Sequence, residues 1–269
     1  MNKKYIFIPL YRSFGFRYLQ ATEVIKKLSK NYKVILFVDF KKKKFFEDFF
    51  KEYDVILEDL KVDSLNFTNF PKFRNFVFFI KKFFNGREKE YYNSCHDLWK
   101  IKFKDEMKSK KILFLTTFCA LLLNNFKFLR KLFFFLENIL DRKKVLSKYF
   151  DKYSPVLLIT TSYGYDYDQF FIREAKNKKC KTVSIIYSWD NPTSKGYKSS
   201  NSDLYLVWNE NMKKELIVFH DIEEKKIKIS GIAHWDTFHQ DIKNKNQIKN
   251  KFFKENKNKD IIKKYYKKI

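Results

Sequence analysis

The feature that most constrains the fold is an alternation of short apolar runs with segments of helical spacing. In the first sixty residues, the runs 4–10, 33–40 and 54–57 predict strands, and the spacing within 21–29 and 43–51 predicts helices between them. Parallel neighbours need a crossover connection, and a helix in each crossover covers a face of the sheet. The sequence therefore predicts an α/β fold, a Rossmann-like parallel sheet with helices on both faces.

The same alternation returns after residue 150. Strands are predicted at 155–160, 181–187, 203–208 and 226–230, and helices at 168–176 and 211–220. The intervening stretch is mostly helical by pattern, with breaks near 85–86 and before 140–141. We expect a Rossmann-like N-terminal domain over 1–238 with a helical insertion at about 61–150, followed by a basic tail over 239–269.

The net charge of +26 would suit a nucleic-acid partner, but the lysines are spread along the chain and no nucleic-acid module is recognisable. The charge still favours contact with anionic membranes, nucleotides and polyanions. Specific nucleic-acid binding is therefore not expected. The cysteines Cys95, Cys119 and Cys180 are odd in number and far apart, which is typical of a reducing compartment.

Two apolar segments bear on the location of the protein. The N-terminal run is too short for a signal peptide, and the run 112–123 is shorter than the roughly 20 residues that span a bilayer. Segment 126–140 places Lys127, Arg130 and Lys131 among aromatic and aliphatic residues at helical spacing, and 73–84 is similar. Such helices cover a sheet, meet a partner or lie on an anionic membrane. We expect a cytoplasmic protein, with a peripheral position at the inner membrane face as the alternative.

The connection that follows strand 181–187 is rich in site-like side chains. In a parallel α/β sheet, ligands bind beyond the carboxyl ends of the strands. There Asp190 is the candidate general base, Asn191 would orient a hydroxyl, Lys195 would meet a phosphate or carboxylate, and Gly196 would allow close approach. The alternative is a purely structural turn before Pro192. The full set is Ser188, Trp189, Asp190, Asn191, Thr193, Ser194, Lys195 and Gly196.

Other strand ends supply weaker candidates. After the first strand, Arg12 and Arg17 lie near a helix start, where they would hold an anion or simply be solvated. After 155–160 come Ser162 and the triplet Asp166-Tyr167-Asp168, whose carboxylates would either hold a divalent ion or cap the next helix. The cap is the preferred interpretation.

The sequence lacks the motifs of several common kinds of site. His220, His234 and His239 lack metal-ligand spacing, and there is no Gly-rich nucleotide loop, zinc-protease motif or nucleophile elbow. We therefore expect neither a metal nor a cofactor.

Three motifs in order resemble one known family. Ser-Trp-Asp-Asn-Pro-Thr-Ser-Lys-Gly at 188–196, Val-Trp-Asn-Glu at 207–210, and the segment 228–238 ending in Asp-Thr-Phe are similar to bacterial surface-polysaccharide glycosyltransferases of the GT-B type. The similarity covers about 155–238, and the first half agrees only in topology. It implies two Rossmann domains, sugar transfer from a nucleotide sugar to the hydroxyl of a carbohydrate or lipid-linked acceptor, and no obligatory metal. Trp208, Asn209, Glu210 and Gly231 would then lie at the hinge between domains.

The chain departs from that family in two places. Pro192 stands where leucine is usual. After residue 238 about thirty residues remain, and 241–269 holds eleven Lys against three acidic residues, whereas a nucleotide-binding domain needs on the order of 100 residues. A missing C-terminal domain is therefore expected. Two alternatives to the transferase stay open: a non-catalytic partner or membrane-associated binding module, and half of a sugar-nucleotide epimerase.

Overall fold

The computed structural model describes residues 3–11, 13–21, 23–39, 43–59, 65, 71–82, 110–141, 144–164 and 167–235. Within these ranges seven strands form one parallel sheet of order β3-β2-β1-β4-β5-β6-β7. This confirms the predicted α/β class. The strands are β1 (Tyr5–Pro9), β2 (Lys33–Val38), β3 (Val55–Asp59), β4 (Leu157–Thr160), β5 (Lys181–Ile185), β6 (Leu204–Val207) and β7 (Ile227–Ile229).

The helices occupy the crossovers and the long connection between β3 and β4. They are α1 (Ser13–Ala21), α2 (Val24–Asn31), α3 (Lys43–Phe50), α4 (Pro71–Lys82), α5 (Lys110–Asn125), α6 (Lys127–Leu140), α7 (Lys144–Tyr153), α8 (Asp168–Asn177), α9 (Asn191–Ser194) and α10 (Glu210–His220). One difference from the sequence expectation lies after β1. The helix predicted at 21–29 corresponds to α2, and a further helix, α1, precedes it, so Arg17 lies inside α1 and not in a loop ahead of a helix.

The core lies on both faces of the sheet. Phe7 pairs in register with Ile35 and packs edge-on against Phe37 and Phe150, with ring centroids 4.9 Å apart in each pair. Their strand neighbours, Ile6 among them, point to the opposite face because side chains alternate along a strand, and they are also fully buried. Burial on both faces explains why these strands read as continuous apolar runs in the sequence.

A buried polar cluster ties the helical connection to the Rossmann sheet. Lys81 on α4 donates to Glu137 on α6, and Arg173 on α8 lies 2.9 Å from the same carboxylate oxygen. Arg173 also donates to the Ser199 carbonyl, and Lys81 donates to the Ser199 hydroxyl at 2.6 Å. All four residues are buried. Two cations therefore share one carboxylate at the point where α4, α6 and α8 meet the β5–β6 connection.

One face of α5 and α6 is apolar and exposed. On α6 the exposed side chains include Phe128, Leu132, Phe135 and Ile139, and on α5 they include Phe114 and Phe118. Neither helix reaches the length and apolarity that a bilayer crossing demands, nor does any other helix in the described ranges. A patch of this kind marks a contact surface more often than an ordinary solvent face.

The contacts divide the chain into two units, Met1–Gly231 and Ile232–Ile269. The first holds the whole sheet. Of the second, the described part is 232–235, which contains a single 3-10 turn over Ala233–Trp235. The predicted basic tail at 239–269 and His239 lie outside the described residues.

Candidate functional site

The sheet order places a topological switch point between β1 and β4, where the chain turns to opposite sides of the sheet. Gly15 in α1 lies directly against the residue that follows β4, and a Cβ there would come 2.7 Å from Thr161 Oγ1. Only glycine permits this approach of α1 to the loop after β4. Ser162, a predicted substrate contact, is completely buried beside it. Arg17 is exposed on α1, and Arg12 lies outside the described residues.

The connection after β5 presents three candidate side chains to solvent. Trp189 is 67% exposed. The two carboxylate oxygens of Asp190 accept one hydroxyl each, from Ser188 and from Ser194, the latter at 2.8 Å. Lys195 Nζ lies 4.0 Å from Asp190 Oδ2. Since each carboxylate oxygen has two acceptor positions, Asp190 keeps acceptor capacity while its orientation is held by both hydroxyls.

The same connection is anchored underneath by a tyrosine from the neighbouring loop. Tyr163, which follows β4, is fully buried, and its hydroxyl lies 3.0 Å from the Asn191 carbonyl and 2.9 Å from the Gly196 carbonyl. One phenol thus holds both ends of the short helix α9. Gly196 has φ of +83°, a left-handed conformation that favours glycine and turns the chain back towards β6.

A histidine supplies the second anchor. His220, the last residue of α10, is buried and stacks obliquely on Tyr163 with ring centroids 4.4 Å apart. Its Nδ1 accepts from the Lys198 amide at 3.2 Å, so its proton resides on Nε2, which donates to the Pro192 carbonyl at 2.7 Å. Burial lowers the pKa of His220 to about 3, which keeps the ring neutral near neutral pH. Tyr163 and His220 together make the loop a rigid platform.

The predicted site residues therefore separate into two groups. Trp189 is exposed, and Asp190, Lys195, Ser188, Thr193 and Ser194 are all partly exposed. Asn191 is only 1% exposed, and its amide nitrogen has no hydrogen-bond partner in the described part of the chain. Its assignment as a hydroxyl-orienting group stays a prediction, as do the roles of the other loop residues.

Sequence reasoning missed both anchors. Tyr163 adjoins the predicted Ser162, but nothing local distinguishes its hydroxyl from that of any other tyrosine. His220 drew attention only as a possible metal ligand. Their partners lie 22 to 33 residues away in sequence, so no short motif contains the arrangement.

The remaining candidates lie at helix starts. Asp168 is the first residue of α8 and is buried, with its amide donating to the Tyr11 hydroxyl, while Asp166 lies outside the described residues. The N-cap position of α8 is Tyr167, which makes no side-chain cap bond, and Asp168 stands in the first turn, where the helix dipole favours a carboxylate. The cap interpretation stays a prediction. Among the described residues, no cluster of His, Cys, Asp and Glu side chains forms a metal site.

The predicted hinge residues include a helix cap. Asn209 caps α10 by accepting from the Met212 amide at 3.0 Å, Trp208 is buried, and Glu210 lies 3.9 Å from Lys213. Gly231 has φ of +73°. Their function at a hinge stays a prediction.

Comparison with known proteins gives a likeness in fold only. No model of a known protein family matches the sequence, and no curated protein is similar to it. Among solved structures, a glycosyltransferase from Rickettsia africae ESF-5 has a TM-score of 0.39 and 13% identity over 86% of this chain and 43% of its own. A UDP-N-acetylglucosamine 2-epimerase from Rickettsia bellii has a TM-score of 0.41 and 12% identity, with 90% and 49% covered.

The lipopolysaccharide outer core galactosyltransferase WaaB in its apo form has a TM-score of 0.38 and 12% identity, over 85% of this chain and 45% of its own. The chain thus spans under half the length of each of these three proteins. The likeness is distant and in fold alone.

Proposed function

We propose that the chain supplies the acceptor side of an enzyme that transfers a sugar from a nucleotide sugar to an acceptor hydroxyl in cell-surface polysaccharide synthesis. The observation that supports it is the anchored loop at the carboxyl edge of β5, on which Trp189, Asp190 and Lys195 reach solvent while the backbone beneath is held by Tyr163 and His220. Rigid support of this kind suits a binding site because little order has to be gained when the ligand arrives.

Each exposed side chain has a role in this proposal. The flat indole of Trp189 offers an apolar surface to the C–H face of a sugar ring while its N–H remains a donor. Asp190 accepts a hydrogen bond from the acceptor hydroxyl. Lys195 attracts the negative charge of a phosphate on the donor or on the acceptor.

The transfer step balances with Asp190 as general base. The carboxylate takes the proton of the acceptor hydroxyl while that oxygen forms a bond to the anomeric carbon of the donor sugar. The bond from the anomeric carbon to the phosphate oxygen breaks, and the nucleoside diphosphate leaves with the electron pair. In this proposal a second Rossmann lobe, from a longer form of the chain or from another polypeptide, holds the nucleotide.

Turnover by an Asp190→Asn variant tests the base. With the second lobe supplied, we expect nucleoside diphosphate release from a panel of nucleotide sugars to fall about 100-fold or more, because the amide cannot take a proton. The melting temperature should change little, since both hydroxyl contacts of Asp190 lie at a partly exposed position. The matched control is Asp151→Asn, an exposed carboxylate paired with Lys178 on a different element. Equal turnover of the two variants would refute the assignment of Asp190.

A binding module at a membrane is the second candidate, favoured by the exposed apolar face of α5 and α6. Because the whole chain carries +26, anionic lipid is the occupant whose charge complements it. Phe128→Ser together with Phe135→Ser should then abolish binding to vesicles that contain phosphatidylserine, whereas Phe45→Ser, exposed elsewhere on α3, should not. Unchanged vesicle binding in the double variant would refute this candidate.

A further inference from the structure

A cavity of about 410 Å³ lies beside α6 and the residues that lead into β6 and β7. Its walls come from 197–201 ahead of β6, from 221–223 and Lys226 ahead of β7, and from one side of α6 that includes Lys131, Phe135 and Asn138. The cavity adjoins the support of the 188–196 loop, since the ring of Tyr197 in its wall lies 5.9 Å from the ring of His220, but no residue of that loop lines it. Its volume is within the usual range of small-ligand sites, about 300–1,000 Å³.

Lys198 is the buried cation of this cavity. It is 8% exposed, and its ammonium donates to the Asp221 carbonyl at 3.2 Å. An ammonium has three N–H donors, and a backbone carbonyl is a neutral acceptor. In the described part of the chain no carboxylate oxygen lies within ion-pair distance of Lys198 Nζ. A buried ammonium without a carboxylate partner lowers the stability of the fold unless another group of opposite charge lies beside it.

The carboxylates that line the cavity are already engaged. Asp221 is held by Arg130 Nε at 2.7 Å and Nη2 at 2.9 Å, and it accepts from the Tyr197 hydroxyl at 2.8 Å. Glu223 pairs with Lys225 at 2.8 Å and with Lys226 at 3.3 Å. Among the described residues this leaves Lys198 and Lys131 as cavity cations without a carboxylate partner.

The pKa of Lys198 agrees with these pairings of the charged residues around the cavity. The pKa of Lys198 is lowered to about 7, chiefly by burial, with the charge of Asp221 opposing the shift and the charges of Lys226, Lys176 and Arg130 adding to it. An anion placed among these cations would stabilise the ammonium form. The site therefore favours a negatively charged ligand over a neutral one.

We propose that this cavity binds a phosphate group, with Lys198 as its buried cation and Lys131 at its mouth. A phosphate monoester carries about −1.5 to −2 charges near neutral pH, which matches two lysines that have no carboxylate within ion-pair distance among the described residues, whereas a carboxylate would match one. The proposal is independent of the proposed sugar transfer, since no residue of the 188–196 loop lines the cavity.

The phosphate belongs to a free phosphorylated compound or to a lipid headgroup. Phe135 lines the cavity and is also 59% exposed on the apolar face of α6, so an acyl chain could continue across that face from a bound headgroup. Both sources share the same recognition chemistry, and the experiment separates them.

Calorimetric titration with inorganic phosphate and with pyrophosphate, at constant ionic strength and neutral pH, tests the site. We expect saturable binding that weakens about tenfold or more in Lys198→Gln and about threefold in Lys131→Gln, because each variant removes one cation from the anion. Lys228→Gln is the control, since Lys228 is exposed on β7 and does not line the cavity. It should bind as the parent does.

Two outcomes would overturn the proposal. One is no saturable binding of either anion by the parent chain, and the other is equal weakening in all three variants, which would indicate a diffuse basic surface. Lys131 is exposed, so its variant keeps the test valid if Lys198→Gln fails to fold.

Vesicle binding identifies the source of the phosphate. The probe is a phosphatidylcholine vesicle that contains phosphatidic acid. If the chain binds these vesicles, and the binding depends on Lys198 and is competed by inorganic phosphate, the site takes a lipid headgroup. Phosphate binding that depends on Lys198, together with vesicle binding that does not, would assign it to a free phosphorylated compound.

Discussion

At the scale of single residues, two side chains that carry no reactive role determine the shape of the candidate site. Tyr163 has one hydroxyl hydrogen and two carbonyl acceptors, at Asn191 and Gly196, and the neutral ring of His220 joins Pro192 to Lys198. Neither residue reaches solvent. Both act by positioning the loop from which Trp189 and Asp190 project.

The protonation of His220 gives a pH-dependent prediction. In the folded chain the pKa of His220 is about 3, below the ordinary value of 6.5. Between these two pH values His220 is protonated in the unfolded chain and neutral in the folded chain. Stability is therefore present above pH 6.5 and is lost as the pH falls towards 3. Between about pH 6.5 and 4, the free energy of unfolding should drop by ~3 kcal/mol more in the parent than in His220→Gln. Urea unfolding at a series of pH values measures this, and parallel curves for the two chains would contradict it.

At the scale of elements, strands were easier to predict than the contacts between helices. The run 34–38 is apolar throughout because both faces of the sheet are covered there, and this signal is local. The sequence predicts α2 but not α1, because Gly15 and the polar residues Ser13 and Arg17 next to the first strand indicate a loop. Lys81 and Ser199 are 118 residues apart in sequence, so no local sequence pattern predicts their contact.

The buried polar cluster yields the prediction at this scale. Glu137→Gln would remove the carboxylate that Lys81 and Arg173 share and leave two buried cations uncompensated. We expect a loss of about 3–5 kcal/mol in the free energy of unfolding, with faster amide exchange in α4 and α6. Glu47→Gln, which breaks an exposed pair with Lys43 on α3, should cost about 0–1 kcal/mol. Similar losses in the two variants would show that the cluster does not hold the helices.

At the scale of the whole molecule, two neighbouring regions carry different chemistry. The anchored 188–196 loop presents an indole, a carboxylate and an amine, and the cavity beside α6 is lined by lysines. The sequence predicted the first because strand ends and polar loops can be read in order. The sequence does not show that Asn191 is buried while Asp190 is partly exposed, nor that Lys131 and Lys198 line one cavity. Both facts depend on the packing of elements that are distant in sequence.

The central claim is that the 188–196 loop contacts sugar, and the indole signals of the chain test it directly. In a ¹⁵N-labelled sample, the Trp189 indole resonance, identified by its loss in Trp189→Phe, can be followed during titration with methyl glycosides of glucose, galactose and N-acetylglucosamine. We expect a saturable shift of the Trp189 resonance with at least one glycoside, while the resonance of Trp208, which is buried, stays unchanged. An unmoved Trp189 resonance with all three glycosides would contradict it.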